Sequence, residues 1–202
     1  MNPMHDGDEI PLFPLGTVLF PGGLLPLRIF ETRYLDMIGE CMRAQKGFGV
    51  CTIKSGAEVG RAATCYDVGT LALIQDFDRA EDGLLSIVAR GERRFRILHR
   101  RVEPNQLLRA SVAWLDDADD APLPPQHKPM ADFLAQLIRR AGEPFTSMAA
   151  NFESSSWVAG RLAELLPFAL ADKQRLLEMD ASLDRLDVIY GELLAEELSH
   201  HR

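Results

Sequence analysis

Residues 11–34 read PLFPLGTVLFPGGLLPLRIFETRY, and the order of the pieces within this stretch decides the fold. Two apolar, strand-like pieces flank Pro21-Gly22-Gly23. Proline presets one backbone angle and glycine tolerates positive φ, so a tight reversal is expected there. Leu24, Leu25 and Leu27 are then free to cover a sheet. Arg28 and Glu31 stand where the strand passes into a helix, and a buried charge without a partner is costly, so the two are expected to pair and lock the corner. After Phe30, the residues Tyr34, Met37, Ile38, Cys41 and Met42 follow the i, i+3, i+4, i+7, i+8 spacing of a helix, and Gly47 ends it.

Working outward, the pattern switches to short strands. Gly47–Ser55, Val68–Phe77, Leu84–Ala89, Arg94–Leu98 and Leu107–Leu115 are each rich in β-branched or aromatic residues. Asp82-Gly83 is the sharpest hairpin signal, and Pro104-Asn105 marks another reversal. Strands at this spacing, with one intervening helix, favour a strongly bent antiparallel sheet or small barrel over a βαβ arrangement.

Residues 116–126, DDADDAPLPPQ, combine four aspartates with three prolines and oppose both helix and sheet. Beyond this linker the period becomes 3.6. Met130, Phe133, Leu134, Leu137 and Ile138 line one helix. Ser154–Ser156 can cap a second, with Trp157, Val158, Leu162, Leu165 and Leu166 facing inward. Asp172 can cap a third and Ser182 a fourth. The expected organisation is a β-rich subdomain over 10–115, a linker over 116–126 and a helical bundle over 127–200.

Composition limits the function. The net charge of −8 is unevenly placed: residues 1–115 hold 14 basic and 14 acidic side chains, residues 116–202 hold 8 and 16. A chain that grips nucleic acid by neutralising phosphates is usually basic, so tight non-specific binding is disfavoured. No stretch is apolar enough for a membrane helix, and the opening MNPMHDGDEI is acidic where a secretory signal is basic; a cytoplasmic protein with no membrane contact is expected. Cys41, Cys51 and Cys65 form no CxxC pair, so reduced thiols are expected and no metal site. There is no GxxxxGK[ST] loop, GxGxxG turn, GxSxG elbow or HExxH helix. The histidines (His5, His99, His127, His200, His201) fall near the termini, in the linker or among arginines. No catalytic residue and no cofactor is expected.

The stretch at 11–34 resembles the opening of the Lon protease N-terminal, substrate-binding domain family, whose members carry a PLFPL…LFPG…LPLxIFExRY signature. The likeness continues in order through Phe48-Gly49-Val50, Glu58-Val59-Gly60, Tyr66–Ala72 (YDVGTLA), Asp82-Gly83, and Gly91 with Arg94-Phe95-Arg96. It ends with Trp157, LAELLPF and LLEMDASLDRL. It covers Ile10 to Leu198. The resemblance implies an α+β fold: a PUA-like six-stranded antiparallel pseudo-barrel with one intervening helix, followed by a small C-terminal helical bundle. It also implies a non-enzymatic, stand-alone module without ATPase or peptidase parts, binding unfolded or partner proteins.

Three site expectations follow. Phe20, Leu24 and Leu25, around the Pro-Gly-Gly turn, are candidates for an apolar polypeptide-binding surface. Arg28 and Glu31 are candidates for the structural corner. The alternative is RNA binding, because ARGERRFRILHRR puts Arg94, Arg96 and Arg100 on one face of a strand with Phe95 and Ile97 on the other. An adaptor for one fixed protein partner, docked on the acidic helical half, is a third reading. Partner and oligomeric state are not readable from the sequence.

Overall fold

The computed structural model describes residues 6–79, 83–116 and 121–200. They form two compact units, divided between Asp116 and Asp117. The first unit contains β1 (Glu9–Leu15), β2 (Leu24–Ile29), α1 (Thr32–Ala44), β3 (Phe48–Ser55), β4 (Thr64–Arg79), β5 (Leu85–Val102) and β6 (Leu108–Trp114). The second contains α2 (Lys128–Ala141), α3 (Ser155–Leu165), α4 (Leu170–Glu178) and α5 (Ser182–His200). The class is α+β.

All six strands join one sheet in the order β2-β5-β4-β3-β1-β6, with β6 also returning to pair with β5. Among the described residues β2 pairs with β5 alone, so the six strands do not close into a barrel. The sheet is also not wholly antiparallel: β1 and β3 run parallel, with Leu12 opposite Gly49 and Phe13 opposite Val50. A parallel neighbour needs a long crossover, and β2 plus α1 supply it. The two strand pieces expected at 84–89 and 94–98 are one continuous strand, β5, which crosses Gly91 without breaking.

Alternation along β1 explains the core. Phe13 and Leu15 pack with Tyr34, Met37, Ile38 and Cys41 of α1, together with Phe48, Val50 and Ile87. Ile10 and Leu12 point the other way, into a cluster of Phe95, Ile97, Leu108, Val112 and Trp114 inside the curled sheet. Both faces of β1 are therefore dry, which is why the strand reads as an apolar run and not as an alternation.

The turn at Pro21-Gly22-Gly23 forms as expected, with Gly22 at φ 77°. It folds onto β5: Gly22 N donates to Gly91 O at 2.8 Å, and Gly91 N donates to Gly23 O at 2.9 Å. Of the Asp82-Gly83 hairpin only Gly83 lies within the described residues. Helix α1 stops at Ala44, ahead of the expected end at Gly47, and Gln45 takes a left-handed conformation at its cap.

In the second unit, Met130, Leu134 and Ile138 of α2, Val158 and Leu162 of α3, and Leu186 and Ile189 of α5 are buried. Ser154 caps α3, its hydroxyl accepting from Trp157 N at 3.0 Å. Helix α4 begins at Leu170, so Asp172 lies in its first turn and Ala169 holds the cap position. His127 is not part of a solvated linker. It is buried and its Nε2 donates to Asp187 Oδ1 at 3.0 Å. Replacing Ser154 with alanine is expected to lower the stability of this unit by about 1 kcal/mol, the usual value of a serine cap. A urea titration followed by Trp157 fluorescence in a Trp114→Phe background measures it.

Candidate polypeptide-binding surface

The corner where β2 enters α1 presents apolar side chains to solvent. Phe30 is 59% exposed and Val59, in the loop between β3 and β4, is 51% exposed. Between them lies a hollow of about 160 Å³, whose walls include Phe13, Leu27, Ile29, Phe30, Tyr34 and Val59. A cavity of about 150 Å³ holds a benzene ring, so this one has room for a single large apolar side chain. Tyr34 stacks on Phe13 with centroids 4.0 Å apart. Burial pushes its hydroxyl up to about 12, so Tyr34 is uncharged at neutral pH, while Arg28, Glu31 and Glu58 bring charged groups to the lining.

The residues expected at the surface are placed differently. Phe20 is 1% exposed and Leu24 is buried, while Leu25 is half-buried against the α1-side core. The backbone bonds between Gly22, Gly23 and Gly91 fold the turn down, so its apolar side chains fill the interior. Phe30 and Val59, one step along the chain and one loop away, hold the exposed apolar positions.

The corner is locked by Arg33. Glu31 pairs with Arg33 at 3.1 Å, and its other carboxylate oxygen accepts from Gly60 N at 3.3 Å. Arg33 is 5% exposed and lies 4.5 Å from the Tyr34 ring centroid. Its guanidinium also donates to Gln106 O at 2.9 Å and Glu58 O at 3.3 Å. Glu58 in turn accepts from Gly16 N at 2.7 Å, and Gln106 Oε1 accepts from Ala62 N at 3.4 Å. The 56–62 loop that carries Val59 is thereby tied at residues 58, 60 and 62. Arg28 is exposed on β2, and Arg33 on α1 is buried and pairs with Glu31. The signal was the arginine of the ExRY segment, two residues past the acid.

Among the described strands, β2 also stands at one end of the sheet order and pairs on one side. Pro26 sits at its middle, as prolines in sheets do on edge strands. An extended chain can add to such an edge.

The arginine cluster does not form the expected face. A bulge sets Ile97 opposite Val112 but His99 opposite Ser111. Residues directly opposite share a face, so Arg96, opposite the half-buried Ala113, points outward, while Arg100, opposite the buried Ala110, lies on the other side. One extra residue in a strand reverses the alternation after it. Arg94 is fully buried, with Nη2 donating to Asp116 O at 3.4 Å. Arg93 pairs with Asp116 at 2.5 Å, Arg100 pairs with Asp67, and Arg101 pairs with Glu9 at 2.8 Å.

Among the described residues no group of three or more His, Cys, Asp or Glu is arranged to hold a metal ion, and no helix is long and apolar enough to cross a membrane.

Comparison with known proteins agrees with this architecture. The solved structure of a Lon N-terminal domain protein from Xanthomonas campestris superposes with a TM-score of 0.74 and 37% identity, covering 93% of this chain and 98% of that one. The N-terminal domain of a Mycobacterium avium complex Lon protease shares the fold, with a TM-score of 0.62 at 20% identity, covering 90% and 96%. Lon protease 1 of Bdellovibrio bacteriovorus is 27% identical over 183 residues, which are 87% of this chain and 23% of the protease. The chain thus spans about a quarter of the length of the Lon proteases it matches. The family model for the ATP-dependent protease La (LON) substrate-binding domain matches residues 9–195, and the chain belongs to that family.

Proposed function

We propose that this chain is a non-catalytic polypeptide-recognition module that holds an extended or partly unfolded protein segment at the β2–α1 corner. One apolar side chain of the segment enters the hollow between Phe30 and Val59, and its backbone lies along the free edge of β2. The observation that carries this reading is the exposure of Phe30 and Val59 on either side of a ring-sized hollow. The coiled sheet, with β6 returning to β5, fits a PUA-like pseudo-barrel. The absence of nucleotide-binding and nucleophile motifs fits a module that recognises substrate and leaves chemistry to other polypeptide. A cytoplasmic setting, where unfolded chains arise at the ribosome and under stress, fits the same role.

Energetics favour weak, tolerant binding. Apolar burial supplies roughly 25 cal/mol per Å², so one seated ring and a short strand exceed the cost of association only modestly. Saturable binding of a casein-like unfolded protein is expected on the order of tens of micromolar. Phe30→Asp places a charge at the hollow and is expected to weaken that binding at least tenfold, about 1.4 kcal/mol or more. Phe77→Asp, at another exposed aromatic on β4 (58% exposed), is expected to leave it within about twofold. Fluorescence anisotropy with labelled casein measures both. No saturation, or equal loss in the two variants, removes the proposal. Salt-sensitive RNA capture lost on Arg96→Glu would select the RNA reading instead, and one stoichiometric partner in a pull-down the adaptor reading.

A further inference from the structure

Phe30 and Glu31 belong to the walls of two hollows. One is the ring-sized hollow that Val59 also borders. The other, of about 390 Å³, is lined by Phe30, Glu31, Thr32, Arg33, Asp36 and Asn105. Helical spacing gathers three of these, because Asp36 follows Thr32 by four residues and Arg33 by three on α1. Asp36 is exposed and makes no hydrogen bond or ion pair among the described residues. Arg33 does not neutralise it, since that guanidinium is occupied by Glu31, Gln106 O and Glu58 O.

We propose that this second hollow receives a lysine or arginine of the bound segment, so that the corner selects polypeptides in which a basic residue stands near the seated apolar one. The inference rests on recognition of an extended segment at the β2–α1 corner and names the class of segment. Lysine and arginine combine an apolar stem with a charged head. The stem lies against Phe30, which is 59% exposed and whose ring attracts a cation. The head meets the Asp36 carboxylate. Side chains two apart on an extended chain share a face at a spacing of about 7 Å. That arrangement suits two hollows with a common wall: one takes the apolar side chain and its neighbour the basic one.

The local charges set the sign of the preference. The second hollow has two carboxylates, Glu31 and Asp36, against the single guanidinium of Arg33. The amino end of α1 adds only about half a positive charge, so the balance stays negative. In the adjoining hollow Glu58 and Arg28 offset each other. An acidic residue of the segment would therefore face Asp36 without compensation, whereas a basic one supplies the missing partner. Arg33 adds a backbone preference. Its Nε is buried and has no hydrogen-bond acceptor, and a carbonyl of the seated segment satisfies such a donor.

The experiment titrates the full-length chain against short fluorescein-labelled peptides and reads anisotropy. The peptides are identical except at the positions two before and two after a single phenylalanine, which are lysine in the first, glutamine in the second and glutamate in the third. Changing both positions covers either direction of the segment. The lysine peptide is expected to bind about threefold tighter than the glutamine peptide, and the glutamate peptide about threefold weaker, the size of an exposed ion pair. The spread is expected to close in about 1 M salt, where charges are screened within about 3 Å. Asp36→Lys is expected to reverse the order. Equal affinities for the three peptides, or an order that Asp36→Lys leaves in place, would overturn the proposal. The wild-type order needs no variant, so a folding defect in Asp36→Lys leaves the test intact. If the three bind alike and Phe30→Asp weakens them all, the apolar hollow stands and the basic preference alone fails. If neither peptides nor casein bind, polypeptide recognition at this corner fails with it.

Discussion

Replacing Phe95 with alanine is expected to lower the stability of the β-rich unit by about 4 kcal/mol, the usual cost of deleting a fully enclosed phenylalanine. Phe95 has no exposed surface and meets Trp114 edge-to-face, with centroids 6.3 Å apart. The sheet is built around its ring. A Cβ on Gly69 would lie 2.7 Å from Phe95 Cζ and 2.4 Å from Val50 O, so β4 has glycine there because the ring and the neighbouring strand leave no room. Backbone atoms cannot move into the space that the ring leaves, and much of the cavity persists. Phe95→Leu, which keeps most of the volume, is expected to cost about 1.5 kcal/mol. Each unit holds one of the two tryptophans, so a Trp157→Phe background lets Trp114 fluorescence report this unit alone in a urea titration. A loss under about 2 kcal/mol for the alanine variant would mean that the curled sheet collapses around the gap.

Phe95 also shows what the sequence made legible. Period-2 alternation in RFRIL placed Phe95 and Ile97 on one face and Arg96 on the other, and the structure has them so. The same alternation failed three residues later, at the bulge by Leu98. A bulge adds a residue without altering composition, so nothing local announces it, and Arg100 moved to the opposite side. The parallel pairing of β1 with β3 was illegible for a related reason. An apolar run says that both faces of a strand are covered, not which strand lies beside it or in which direction.

At the candidate surface the legible part was the turn, and the illegible part was what it buried. Pro21-Gly22-Gly23 fixed a reversal, but Phe20 and Leu24 differ from Phe30 in nothing that hydrophobicity measures. Their enclosure depends on Gly91, some seventy residues along the chain, accepting from and donating to the turn. Polar side chains are by default exposed, so nothing in the sequence marks His127 and Arg33 as interior. Both are buried, with partners that lie far along the chain: Asp187 for His127 and Gln106 for Arg33.

Arg33→Ala is therefore expected to act on stability and recognition together. The substitution removes the ion pair to Glu31 and the donors to two backbone carbonyls, on Gln106 and Glu58. Breaking a buried pair by deleting one partner costs about 3–5 kcal/mol. Glu31 keeps 21% of its side chain exposed and can rehydrate, which places the expected loss near 3 kcal/mol, at the lower end. Arg33→Lys keeps the charge but not the planar fork that spans three acceptors, and is expected to recover less than half of the loss. The 56–62 loop loses its tie at residue 58, so Val59 is no longer held against the hollow. Binding of casein-like protein is then expected to weaken about tenfold, under conditions where Trp114 fluorescence still reports a folded sheet. Glu31→Gln, which retains a hydrogen-bond acceptor for Arg33 and for Gly60 N, is expected to cost about 1 kcal/mol and to weaken binding only slightly. If Arg33→Ala destabilises the unit but leaves binding unchanged, the loop is positioned by Glu58 and Gly16 without the arginine. If it changes neither, the buried guanidinium is dispensable and the corner is held by apolar packing alone.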